Sequence, residues 1–161
     1  MKKFFKCCIL ATIMLATVCV AYAQQKPNVR ILATGGTIAG SGSSATKSNY
    51  SAGQVAIGAL LDAVPVINDI ANVQGEQVVN IGSQDMSDNV WITLAKRVNE
   101  LLAQNDVDGI VITHGTDTMA YTASAVTYML PNIDRPVVFT GSQLPLADML
   151  SDGPDNLRPA F

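Results

Sequence analysis

Val29-Arg30-Ile31-Leu32-Ala33-Thr34-Gly35-Gly36-Thr37-Ile38-Ala39-Gly40 starts as an apolar strand and ends in a turn of small residues around a threonine. The same order returns where Ile110-Val111-Ile112 runs into Thr113-His114-Gly115-Thr116-Asp117-Thr118-Met119. In open α/β sheets ligands bind outside the carboxyl ends of the strands, so a hydroxyl carried there can act as a nucleophile or as a donor to substrate.

Outward from these two stretches, apolar runs alternate with segments of helical period, the pattern of βαβ units. The runs predict strands near 29–34, 70–81, 109–113 and 136–140, and hence an α/β fold with a mostly parallel sheet flanked by helices. Between the first two strands, Gly40 to Tyr50 is polar and made of small residues that cannot anchor it to a core; a surface loop that closes over substrate is expected. Ala52 to Leu61 reads as a short helix. A second helix begins after Ser87, a candidate N-cap, with Asp88 in the first turn where the helix dipole favours negative charge. Its buried stripe is Val90, Leu94, Val98 and Leu101, and Trp91 beside it is read as a packing residue.

The third helix, from about Thr118 to Leu130, is apolar nearly all round, with Ala120, Ala123, Ala125 and Val126 allowing close approach to a sheet, and Pro131 ends it. Pro136 to Gly141 reads as the next buried strand.

At the amino terminus Lys2, Lys3 and Lys6 precede an apolar run from Cys7 to Val20 and then Ala21-Tyr22-Ala23. That order predicts a secretory signal peptide over residues 1–23, and a periplasmic or secreted protein with no membrane partner after cleavage. The run is too short for a spanning helix. All three cysteines, Cys7, Cys8 and Cys19, fall inside it, so residues 24–161 carry no thiol chemistry and no Cys-based metal site. Lipoprotein processing at Cys19 is disfavoured because Val18 before it is not small. A net charge of −3 with no basic run argues against nucleic acid as a partner.

Gly35-Gly36 permits backbone angles forbidden to other residues, so Thr37 can sit in a tight turn with its hydroxyl presented. A dinucleotide turn is the competing reading, but Thr37 stands where G-x-G-x-x-G needs its middle glycine. The threonine needs a neighbour to take its proton. Tyr50 is the candidate nearby in sequence, and Thr116 with Asp117 could be near in space, because adjacent parallel strands bring their ends together. Thr116-Asp117 could equally be an N-cap for the third helix. Ser83-Gln84-Asp85, at another strand end, could bind an α-amino and α-carboxylate group or could form only a turn. His114, the only histidine, has no ligand-spaced companions and is read as structural, with no metal and no cofactor implied.

At these residues the chain resembles the bacterial L-asparaginases, whose two signatures match Ala33 to Gly40 and Ile112 to Met119 in order. The resemblance implies a Rossmann- or flavodoxin-like amino-terminal domain over residues 24–161, in a homotetramer that hydrolyses L-asparagine to L-aspartate and ammonia without a cofactor. Thr37 would be the nucleophile that forms a β-aspartyl enzyme, Tyr50 its activator, and Thr116 the second catalytic threonine. Ser83 and Asp117 would hold the substrate carboxylate and amino group with Gly36 and Gln84 beside them. Gln84 stands where glutaminase-active relatives often carry Glu, so L-glutamine is expected to be at most a weak second substrate. Up to about Thr116 the chain resembles the exported type II enzymes, and from Asp117 onward the cytoplasmic type I enzymes.

The family also carries a lysine that pairs with Thr116 and Asp117, and a carboxy-terminal domain. Residues 24–161 lack both and are expected to behave as a truncated domain with little turnover. The alternative is a non-catalytic exported domain that binds small amino acids, or a remnant.

Overall fold

The computed structural model describes residues 25–40, 53 and 57–161. The expected signal peptide, its cysteines, Tyr50 and nearly all of the polar loop lie outside the described residues.

In chain order the elements are β1 (Asn28–Gly35), a 3-10 turn (Thr37–Ala39), α1 (Ile57–Asp62), α2 (Ile67–Ile70), β2 (Asn72–Ile81) and a 3-10 turn (Ser83–Asp85). There follow α3 (Asp88–Leu102), β3 (Gly109–Thr113), α4 (Met119–Met129), β4 (Val137–Thr140), α5 (Gly153–Leu157) and a last 3-10 turn (Arg158–Ala160). The four strands form one sheet in the order β2-β1-β3-β4. Every neighbouring pair is parallel, so all strands end on the same edge. The chain steps from β1 to β2 on one side and then places β3 on the other side of β1. The strand order therefore reverses between β1 and β3, where doubly wound sheets open a crevice for ligands.

Because side chains alternate along a strand, the sheet packs two separate cores. Val29, Ile31 and Val111 meet Leu60, Val64, Ile67 and Leu157 from α1, α2, α5 and their connections. Leu32, Ile110 and Ile112 meet Leu94, Val98 and Leu101 of α3 and Val126 of α4. Both faces of the central strands are thus covered, which explains why β3 is buried at every residue. Each such leucine taken from water stabilises the fold by about 1.5–3 kcal/mol.

Several boundaries differ from expectation for local reasons. Residue 70 does not open a strand: Ile67–Ile70 coils into a short helix that buries Ile67, and β2 starts at Asn72. The described part of the first helix begins at Ile57 and runs one residue beyond Leu61. Ser87 does occupy the N-cap of α3, but its side chain makes no cap bond; its carbonyl accepts from Val90 and Trp91 N–H instead. Val90 is only half-buried, while Leu94, Val98 and Leu101 form the stripe as predicted.

α4 buries Thr122 and Val126 and leaves Ala120 exposed, so its approach to the sheet is narrower than its apolar composition implies. β4 is an edge strand, not a buried one: Val138 is exposed, and only Thr140 is buried.

Candidate functional site

Thr34 begins the site from beneath. It is fully enclosed at the end of β1, and its Oγ1 donates to the carbonyl of Thr113 on β3 at 2.9 Å. This bond closes the β1–β3 ladder, where Ala33 stands opposite Thr113, just before the two strands turn away.

The β1 turn is made possible by two glycines in the left-handed region, Gly35 at φ 102° and Gly36 at φ 76°. L-residues with side chains rarely adopt such angles. On the β2 side the pairing slips: Ala33 stands opposite Gln77, but Gly35 stands opposite Ile81. The Gln77 side chain fills the break, donating to Ala33 O at 3.1 Å and Val79 O at 2.6 Å. The slip carries Ile81 forward, so that its carbonyl accepts from Gly36 N–H at 2.9 Å. Thr37 then heads the 3-10 turn, half-buried, with Ile38 and Ala39 anchored in the core behind it.

The β3 turn lies against this one without any side chain between them. A Cβ on Gly36 would collide with the backbone nitrogen and α-carbon of Gly115. A Cβ on Gly115 would in turn lie 2.6 Å from Ser83 Oγ, at the end of β2. Gly36, Gly115 and Ser83 thus bring the ends of β1, β3 and β2 into direct contact at the switch point. Ser83 is buried, Gln84 beside it is exposed, Thr116 is half-buried and Asp117 is exposed. This edge carries hydroxyl, amide and carboxylate groups.

Of the residues singled out by sequence, Gly36, Thr37, Ser83, Gln84, Thr116 and Asp117 all lie on this edge, in the turns that follow β1, β2 and β3. Tyr50 lies outside the described residues. Thr116-Asp117 is not the N-cap of α4; that position is Thr118, whose Oγ1 donates to Ser83 O at 2.7 Å. The sequence reading also missed Thr34, Gly115, Thr118 and Gly53, whose N–H donates to Gly36 O at 3.1 Å. A small residue repeated at successive strand ends was the one signal available for Gly115.

His114 is completely buried behind the edge, where Nδ1 lies 2.7 Å from the carbonyl of Gly115 and so carries the proton. Burial pushes its pKa below 6.5, partly opposed by that hydrogen bond. A neutral, enclosed imidazole at this place supports the turn from behind.

A cleft of about 540 Å³ opens at the opposite edge, lined by Lys26, Asn28, Asn105, Asp106 and Asp108. Its polar groups are partly engaged with one another, Asp108 accepting from Asn28 N–H at 2.8 Å. It lies at the amino-terminal ends of β1 and β3, away from the switch point, so the carboxyl edge is the better candidate.

The sequence and the fold have counterparts among known proteins. L-asparaginase 2 of Escherichia coli strain K12 is 54% identical over 158 residues, covering 98% of this chain and 44% of that protein. The probable periplasmic L-asparaginase of Haemophilus influenzae is 49% identical, covering 94% of this chain and 42% of its own length. The crystal structure of a probable cytoplasmic L-asparaginase from Campylobacter jejuni superposes with a TM-score of 0.75 at 44% identity, covering 84% of this chain and 41% of that one. The chain thus spans less than half the length of each of these relatives. The family model described as Asparaginase, N-terminal matches residues 28–161, and the chain belongs to that family.

Proposed function

We propose that this chain supplies the amino-terminal half of an asparaginase site, hydrolysing L-asparagine to L-aspartate and ammonia with Thr37 as nucleophile. The observation that carries this reading is the backbone contact of Gly36 with Gly115 at the β1–β3 switch point, which draws the turns bearing Thr37 and Thr116 together. Thr37 Oγ attacks the side-chain amide carbon, its proton passing through a neighbouring base to the amide nitrogen, and the C–N bond breaks to release ammonia and leave a β-aspartyl ester. Water then attacks the ester, Thr116 assisting, and L-aspartate is released.

The two ends of the substrate need opposite partners. Ser83 offers a hydroxyl and the Gln84 turn a backbone N–H for the α-carboxylate, while Asp117 offers a negative charge for the α-ammonium. Tyr50, outside the described residues, is the proposed activator of Thr37. Export after removal of residues 1–23 and assembly into a homotetramer complete the proposal, with residues 24–161 alone turning over little.

Ammonia release from L-asparagine by a full-length asparaginase that contains these residues tests the reading, residues 24–161 alone releasing little. Thr37→Ala should lower kcat by at least about a thousandfold while L-aspartate still binds. Turnover surviving in that variant would remove Thr37 from the role of nucleophile. Binding of L-aspartate by that full-length parent without ammonia release would favour an amino-acid-binding domain instead.

A further inference from the structure

Thr118 occupies the N-cap of α4 yet makes no side-chain cap bond. Threonine is favoured at that position because its oxygen can accept from the N–H groups of the first helical turn. Here the hydroxyl is used otherwise, donating to Ser83 O, 35 residues away in sequence, at 2.7 Å.

The carbonyl that Thr118 holds belongs to the Ser83–Gln84 peptide. That unit is planar and trans, so fixing its C=O also fixes the Gln84 N–H on the opposite side and the α-carbon that carries the Ser83 hydroxyl. The Gly115 backbone packs against the Ser83 side chain, since a Cβ on Gly115 would stand 2.7 Å from Ser83 Cβ. A second tie lies one turn along α4, where Trp91 Nε1–H donates to the buried Thr122 Oγ1 at 2.8 Å. The segment after β2 is therefore bound to the start of α4 at two points, and the nearer point acts on the peptide that faces the candidate substrate edge.

We infer that Thr118 is a positioning residue for ligand binding. By donating to the Ser83 carbonyl in place of capping its own helix, it orients Ser83 and the Gln84 N–H toward the α-carboxylate of a small amino acid. The identity of that ligand rests on the asparaginase reading. The reacting amide lies at the other end of the substrate, near Thr37, so Thr118 governs affinity more than the chemical step.

Thr118→Val keeps the shape and removes the donor. In the full-length protein it should raise the KM for L-asparagine and the Kd for L-aspartate about tenfold while kcat changes less than about threefold. Thr118→Ser, which restores the donor, should return both constants to within about twofold of the parent. A valine variant with parental KM and Kd, whatever its melting temperature, overturns the inference, as does a serine variant no better than valine. Thr118→Ala serves the same comparison if valine prevents folding.

A full-length parent that neither hydrolyses L-asparagine nor binds L-aspartate would sink the asparaginase reading, and the positioning claim is then decided by the isotope-labelled Gln84 amide. Thr118→Val should shift that resonance and speed its exchange with solvent, and Thr118→Ser should not. An unmoved resonance overturns the claim.

Discussion

Gly36 and Gly115 meet backbone to backbone, so closely that a Cβ on the first would overlap the nitrogen and α-carbon of the second. Gly36 is also held at φ 76°. Gly36→Ala therefore combines a left-handed backbone with a steric collision against atoms that cannot rotate away. It should destabilise the fold by about 2–4 kcal/mol, read from the midpoint of urea unfolding. Gly58→Ala is the matched control: nothing lies within 4 Å of its added methyl, and it sits exposed in α1. That variant should be neutral or more stable by up to about 1 kcal/mol. Equal losses in the two variants would mean that the two turns are not packed as described.

Thr34→Val tests the bond that closes the ladder beneath the site. Thr34 Oγ1 donates to Thr113 O in a fully enclosed place, and valine keeps the volume while stranding the acceptor. A loss of about 1–3 kcal/mol is expected. The separation of β1 and β3 should also relax near their ends, visible as faster amide exchange at Thr113 and His114. An unchanged unfolding midpoint would show that the hydroxyl contributes no net stability there.

β1, β3 and β4 were legible because each is a short apolar run ending in glycine or threonine, whereas β2 is polar over much of its length, from Asn72 to Ile81, and the sheet order came from the structure alone. Residues read from their own turn, such as Thr37, Ser83 and Asp117, were found on one edge because a parallel sheet gathers the turns that follow its strands. Thr118 was not legible as a partner of Ser83. From the sequence it looks like the first turn of a helix, and its hydrogen bond depends on where β2 ends relative to α4. The start of β2 was misread for a similar reason. Ile70 belongs to an apolar run, but Ile67 before it is pulled into a helical turn by burial against α1 and Ile31.

His114 predicts a stability that depends on pH near neutrality. It is the only histidine in the sequence, and burial lowers its folded pKa below 6.5. Between the folded and unfolded pKa values the unfolded chain binds the extra proton, so stability rises with pH across that window. The contribution is fully present above 6.5 and is lost as pH falls through the lower folded value. Urea unfolding of the parent at about pH 7.5 and about pH 5.5 should show the decline, and His114→Leu should reduce it. A leucine variant with the parent's full pH slope would place the titrating group elsewhere.

Asp152 predicts a second dependence at lower pH. Its Oδ1 accepts from Gln143 N–H and Leu144 N–H, each at 3.0 Å, and its Oδ2 from Asn156 Nδ2 at 2.9 Å. Asn156 Nδ2 also reaches Gly141 O at 3.1 Å, so one carboxylate ties the end of β4 to α5. Burial alone would raise its pKa, but the hydrogen bonds from Gln143, Leu144, its own backbone and Asn156 together hold it below 3.8. A depressed carboxylate contributes stability above its unfolded value, and that contribution is lost as pH falls through the folded value. Asp152→Asn keeps the size but removes the charge and turns a donor toward N–H groups, so at neutral pH it should cost about 1–2 kcal/mol. The difference between parent and variant should shrink as the carboxylate protonates below 3.8. A gap of constant size from neutral to acid pH would show that the loop is held by shape and not by the ionised carboxylate.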